Sequence, residues 1–214
     1  MLEAVIFDCD GVILESADIK SEAFRRIGGL FGLEIQDRFY EHHLRNTGVS
    51  RFDKFAWLYR TELGQEINAE ESRRLGELFA GYCLEAVRTA PLVPGFEEAL
   101  AWFQNQKISL FVASGTPQME LEAILTARKL ADCFQRILGT PPDKSRLLDR
   151  IIKEGGFDPA KVLMVGDGET DLHAARDNGA LFFGRGTIFK DWGLPWADDL
   201  NGLVAWAKEL YNGG

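Results

Sequence analysis

The sequence predicts an α/β protein: a doubly wound parallel sheet with an all-helical segment inserted into it. Three observations predict this. Four short apolar runs end abruptly at glycine or polar residues, as strands buried on both faces of a parallel sheet do. Between the later runs, apolar residues recur at spacings of three and four, the mark of helices. From about residue 16 to 90 the alternation stops, and only helical periodicity remains.

In chain order, Ala4-Val5-Ile6-Phe7 is the first strand, ending in Asp8-Cys9-Asp10-Gly11. The segment from Ser16 to Ala90 follows. Ile19, Ala23, Phe24, Ile27, Leu30 and Phe31 form one amphipathic face in it, and Leu75, Leu78, Phe79, Tyr82 and Ala86 another. Asn68 followed by Glu71 is a helix start. Pro91 and Pro94-Gly95 mark the return to the core, a boundary or hinge. Phe96, Ala99, Leu100 and Phe103 then face one side of a helix before the strand from Ile108 to Ala113, which ends in Ser114-Gly115-Thr116-Pro117. Leu121, Ile124 and Leu125 belong to a further helix, and Leu147, Leu148, Ile151 and Ile152 to another. Val162 to Val165 runs into Gly166-Asp167-Gly168, and Ala180-Leu181-Phe182-Phe183 into Gly184. Strands alternating with helices imply right-handed crossovers, so the polar strand ends share one edge. Ligands bind there, and Asp8, Asp10, Ser114 and Asp167 are expected to converge. The expected division is a core of 1–15 and 91–214 with a helical cap of 16–90.

Composition narrows the function. The chain has 214 residues, 24 basic against 33 acidic, a net charge of −9, and 46% hydrophobic residues. Disordered and collagen-like classes are excluded. A sequence pI near 4.9 argues against a basic face for nucleic acid. Cys9, Cys83 and Cys133 are an odd set matching neither a disulfide framework nor a zinc site, which fits a reducing compartment. The N-terminus lacks a basic stretch followed by an apolar one, and no apolar run is long enough to cross a bilayer. A cytoplasmic protein is expected.

The chemistry lies in the strand-end loops. Two carboxylates two residues apart, Asp8 and Asp10, can face one ligand if Gly11 turns the chain. One can then act as nucleophile and the other as general acid and base, provided a cation screens their repulsion. A second pair, Asp167 and Asp171, follows another buried strand. Four carboxylates at one edge call for a hard, oxygen-ligated cation, Mg²⁺ rather than zinc. Asp171 can equally cap a helix. Ser114 and Gly115 offer a hydroxyl and backbone N–H groups to phosphate, or Ser114 an N-cap to the helix after Pro117. Lys144 can bring a positive charge.

Taken in order, Val5-Ile6-Phe7-Asp8-Cys9-Asp10-Gly11-Val12, Ser114-Gly115-Thr116, Lys144 and Gly166-Asp167-Gly168-Glu169-Thr170-Asp171 resemble the four motifs of the haloacid dehalogenase superfamily. The helical segment is similar to the cap of its phosphoglycolate phosphatase and β-phosphoglucomutase branch. The resemblance implies that Asp8 forms an aspartyl-phosphate while Asp10 protonates the leaving oxygen and later activates water. It implies Mg²⁺ held by Asp8, the Asp10 backbone carbonyl and Asp167, phosphoryl oxygens held by Ser114, Gly115 and Lys144, and support from Asp171.

Departures from the family pattern inform the reading. Ser145-Arg146 follows Lys144 where the branch often has proline, Gly166 stands where mutases tend to have an acid, and Lys20 replaces a cap histidine used by mutases. These lean toward hydrolysis. Thr47-Gly48-Val49-Ser50-Arg51 resembles the segment through which mutases hold a second phosphate, so Arg51 is either a substrate ligand or a solvated helix-start arginine. Asp10 argues for phosphate esters over halides, whose departure needs no proton. The expectation is a Mg²⁺-dependent phosphatase of a small phosphorylated metabolite, a sugar phosphate or phosphoglycolate-like ester, acting as monomer or homodimer with no nucleic-acid or membrane partner. A phosphosugar mutase and a non-catalytic binder of this fold are the alternatives.

Overall fold

The computed structural model describes residues 1–212. Among them six strands form one sheet: β1 (Ala4–Phe7), β2 (Ser109–Pro117), β3 (Arg136–Thr140), β4 (Val162–Gly166), β5 (Leu181–Arg185) and β6 (Trp196–Ala197). Their order is β3-β2-β1-β4-β5-β6, and every pairing is parallel. The chain builds outward from β1 on one side, then returns to build on the other. The switch point therefore falls at β1, where an open α/β sheet leaves a crevice beyond its carboxyl edge.

The alternation of side chains along β1 sorts the core into two layers. Val5 and Phe7 pack with α5 (Phe96–Asn105), α6 (Gln118–Ala127) and α9 (Leu200–Asn212). Ala4 and Ile6 pack on the other face with α7 (Lys144–Gly155) and α8 (Glu169–Asp177). The apolar residues expected on α5, α6 and α7 are all buried.

Between β1 and β2 the chain is helical: α1 (Ala17–Gly29), α2 (Leu33–Arg45), α3 (Arg51–Trp57) continuing into a π-helical turn (Leu58–Glu62), and α4 (Ala69–Thr89). Aromatic rings hold these helices together. Phe24 meets Phe79 at 4.5 Å and Phe39 at 5.9 Å between centroids, and Phe55 meets Phe79 at 6.4 Å. Asn68 does start α4, its side chain accepting the Glu71 N–H at 2.9 Å.

Several expectations need correction. β2 runs on to Pro117 through a register shift after Ser114, so Ser114 is no N-cap, and Pro117 precedes α6. β3 and β6 form no apolar run in the sequence, because β3 has only Ile137 and Leu138 as large apolar residues and β6 is two residues long. Cys83 and Val87, not Ala86, continue the buried stripe of α4, and Leu30 lies past the end of α1 and is exposed. No helix is long and apolar enough to cross a membrane among the described residues.

Candidate active site

Register brings the polar residues together before any side chain is considered. Phe7 pairs with both Val112 and Val165, so Asp8, Ser114 and Asp167 lie within one or two residues past adjacent strand positions. Gly11 then turns the chain back with a φ of +76°. A Cβ there would lie 2.1 Å from the Asp167 carboxylate, so both the conformation and the close approach require glycine.

Asp8 is buried. Its Oδ1 accepts the Cys9 N–H at 2.7 Å, and its Oδ2 lies 2.8 Å from Lys144 Nζ. Burial outweighs that ammonium and pushes the Asp8 carboxyl up to about 6. Asp10 goes the other way. Its burial is overcome by Lys20 at 2.5 Å, Ser16 at 2.6 Å and Thr116 at 3.0 Å, which hold it below the usual carboxylate range. Two carboxyls two residues apart are thus driven in opposite directions.

Lys144 opens α7, whose N-cap is Asp143, and is almost wholly enclosed. Burial would lower its pKa, but Asp171 and Asp8 raise it instead. Its ammonium bonds Asp171 as well as Asp8. The other Asp171 oxygen accepts the Gly168 N–H at 3.1 Å, so Asp171 both caps α8 and anchors Lys144. Ser114 Oγ accepts the Thr116 N–H and donates to Thr116 Oγ1, each at 3.2 Å.

Carboxylate oxygens of Asp8, Asp167 and Asp171 all lie within 4.8 Å of one another. Asp171 is committed to Lys144 and Gly168, whereas Asp167 has no hydrogen bond or ion pair among the described residues. Burial, then Asp8 and Asp171, push the Asp167 carboxyl well above its ordinary value. An all-oxygen donor set with an uncompensated carboxylate fits a hard cation such as Mg²⁺ between Asp8 and Asp167.

A cavity opens on these groups. Asp8, Asp10, Ser114, Gly115 and Asp167 line it from the sheet edge. Lys144 and Asp171 lie behind it, so Lys144 reaches the cavity through Asp8. The opposite wall comes from α1 to α4 and the Thr47-Gly48-Val49 turn. That turn is seated on the strand-end loops, with Thr170 Oγ1 donating to the Thr47 carbonyl at 2.6 Å. A Cβ on Gly115 would lie 2.3 Å from the Gly48 carbonyl oxygen, and one on Gly168 2.4 Å from Thr47 Oγ1.

Arg51 lines the cavity but is not a solvated arginine: it is 5% exposed, lies over the Phe79 ring at 4.4 Å and bonds Glu120 at 2.6 Å. Sequence reasoning missed Lys54, His43 and Ser21 in the same wall. The available signal was Lys54 three residues after Arg51, on the same face of α3. Cys9 packs into the core.

The family model described as haloacid dehalogenase-like hydrolase matches residues 2–179. A phosphoglycolate phosphatase of Synechococcus elongatus is 27% identical over 215 residues, covering 95% of this chain and 89% of that protein. A phosphorylated carbohydrates phosphatase of Thermotoga maritima is 25% identical over 193 residues, covering 83% and 82%. The structure of β-phosphoglucomutase from Clostridium difficile superposes with a TM-score of 0.80 at 22% identity, covering 100% of this chain and 98% of that one, a likeness of fold.

Proposed function

We propose, from the premise that this chain belongs to the haloacid dehalogenase-like hydrolase family, that it is a Mg²⁺-dependent phosphatase of small phosphate esters. Relatives named for phosphoglycolate and for phosphorylated carbohydrates support esters of those classes. The observation that carries the reading is the convergence of Asp8, Asp10, Ser114, Gly115 and Asp167 on one cavity, two neighbouring carboxyls facing a phosphate cradle and an uncompensated third carboxylate.

An Asp8 oxygen attacks phosphorus in line, forming an aspartyl-phosphate as the ester P–O bond breaks. The protonated form of Asp10 gives its proton to the departing oxygen. The Asp10 carboxylate, held by Lys20, Ser16 and Thr116, then takes a proton from the water that cleaves the aspartyl-phosphate, releasing inorganic phosphate and restoring Asp8. Ser114 and the Gly115 backbone hold phosphoryl oxygens. Lys144 orients Asp8 and offsets its charge, and Asp171 fixes Lys144. Mg²⁺, held by Asp8, Asp167 and the Asp10 backbone carbonyl, supplies charge neutralisation at the transferring phosphoryl group.

We assign residues 1–15 and 91–214 to the catalytic core and 16–90 to a cap that excludes water when closed. Engagement of Arg51 by Glu120 favours hydrolysis over mutase chemistry, because a second phosphate would have to displace a half-buried carboxylate already paired with it. Phosphate release from a panel of esters, with Mg²⁺ or with a chelator, tests the reading. Metal-dependent release by the wild type and at least about 10³-fold less by Asp8→Asn is the expected result; isomer formation without release would replace it with a mutase.

A further inference from the structure

Three cations line the cavity wall opposite Asp8, and only two are neutralised within the protein among the described residues. Lys20 is paired with Asp10 and Arg51 with Glu120. Lys54, 2% exposed, has no carboxylate partner. Its Nζ donates to His43 Nδ1 at 2.9 Å and lies 4.5 Å from the centre of the Phe24 ring.

The neighbours fix the direction of the chain. Because Lys54 donates to Nδ1, the His43 proton sits on Nε2, which donates to Ser21 Oγ at 2.8 Å, and Ser21 donates to the Ala17 carbonyl at 2.8 Å. Burial and then Lys54 push the His43 pKa down to about 3, which keeps the ring neutral and its Nδ1 an acceptor. His43 also stacks on Phe24 at 4.3 Å. These contacts hold Lys54 in place without a bonded counter-charge, and burial, then Lys20 and Lys144, push its pKa down to about 7 against the opposing pull of Asp167. Leaving a charge buried in this way is costly, and an anion arriving in the cavity relieves the cost.

We propose that Lys54 receives a carboxylate carried by the substrate, and so selects phosphate esters of small carboxylic acids. The proposal rests on the phosphatase reading and refines it. A single fixed ammonium matches a monoanion. A second phosphate, with up to two charges, would need a further free cation, and Arg51 is already held by Glu120.

Binding of non-hydrolysable probes tests this without turnover. With Mg²⁺ present, the Kd of 3-phosphonopropionate is compared with those of propylphosphonate, which lacks the carboxylate, and propane-1,3-bisphosphonate, for the wild type and Lys54→Met. The wild type is expected to prefer the carboxylate probe over both others by about tenfold or more, and Lys54→Met to lose that preference. A general structural role for Lys54 would weaken all three alike and leave the ratios unchanged. Equal binding of the three by the wild type overturns the proposal whatever the variant does, as does a preference for the bisphosphonate or one that survives in a folded Lys54→Met. Phosphate release from ethyl phosphate, lost in Asp8→Asn, reports separately on the phosphatase reading.

Discussion

Asp8 is enclosed, and it shares one ammonium with Asp171, so its protonation is linked to folding. Its folded pKa, about 6, lies above the ordinary 3.8, so the native state binds the proton more tightly than the unfolded chain. The stabilisation is therefore fully present below about 3.8 and is lost as pH rises through about 6. In chelator, thermal melting between pH 4 and 7 is expected to show the wild type losing on the order of 1–3 kcal/mol relative to Asp8→Asn. Lys144→Ala leaves Asp8 and Asp171 buried without their counter-charge, and the expected cost is about 3–5 kcal/mol by denaturant unfolding. The motif aspartates were legible in the sequence, since each follows a short buried strand. The partners of Lys144 were not, because 27 residues separate it from Asp171 and many more from Asp8.

At the scale of elements, the junction between the helical segment and the sheet edge relies on missing side chains. Gly48 has a φ of +80°, and a Cβ on Gly115 would strike its carbonyl. Gly115→Ala is therefore expected to prise the Thr47-Gly48 turn away and raise KM by about tenfold or more, with melting nearly unchanged. Titrating substrate against the variant checks this. The Arg51–Glu120 pair ties α3 to α6. Because Arg51 is the more enclosed partner, Glu120→Ala, which strands its charge, is expected to destabilise more than Arg51→Ala. A double-mutant cycle should give a coupling between 0.5 and about 3 kcal/mol. Strong helical periodicity made α5, α6 and α7 legible from sequence. β3 was not, because its two apolar side chains become a strand only when β2 offers an edge to pair with.

For the molecule as a whole, Asp8 and Asp167 repel across the sheet edge, so a bound Mg²⁺ should stabilise the fold as well as serve the reaction. At a hundredfold excess over Kd, the gain is about 2.7 kcal/mol. Calorimetry is expected to show the melting temperature rising by about 5–10 °C with Mg²⁺, and Asp167→Asn to abolish most of that rise. The sequence by itself determined the α/β class, the helical interruption and the four carboxylates at one edge. All of these follow from local periodicity and from the rule that parallel strands expose their carboxyl ends together. Tertiary structure alone decided which cations stay free. Arg51 met Glu120, Lys20 met Asp10, Lys144 met two aspartates, and Lys54 met a neutral histidine. Ion pairing depends on distances of a few ångströms between segments far apart in the chain, and Coulomb and desolvation energies at that range leave no periodic trace in the sequence.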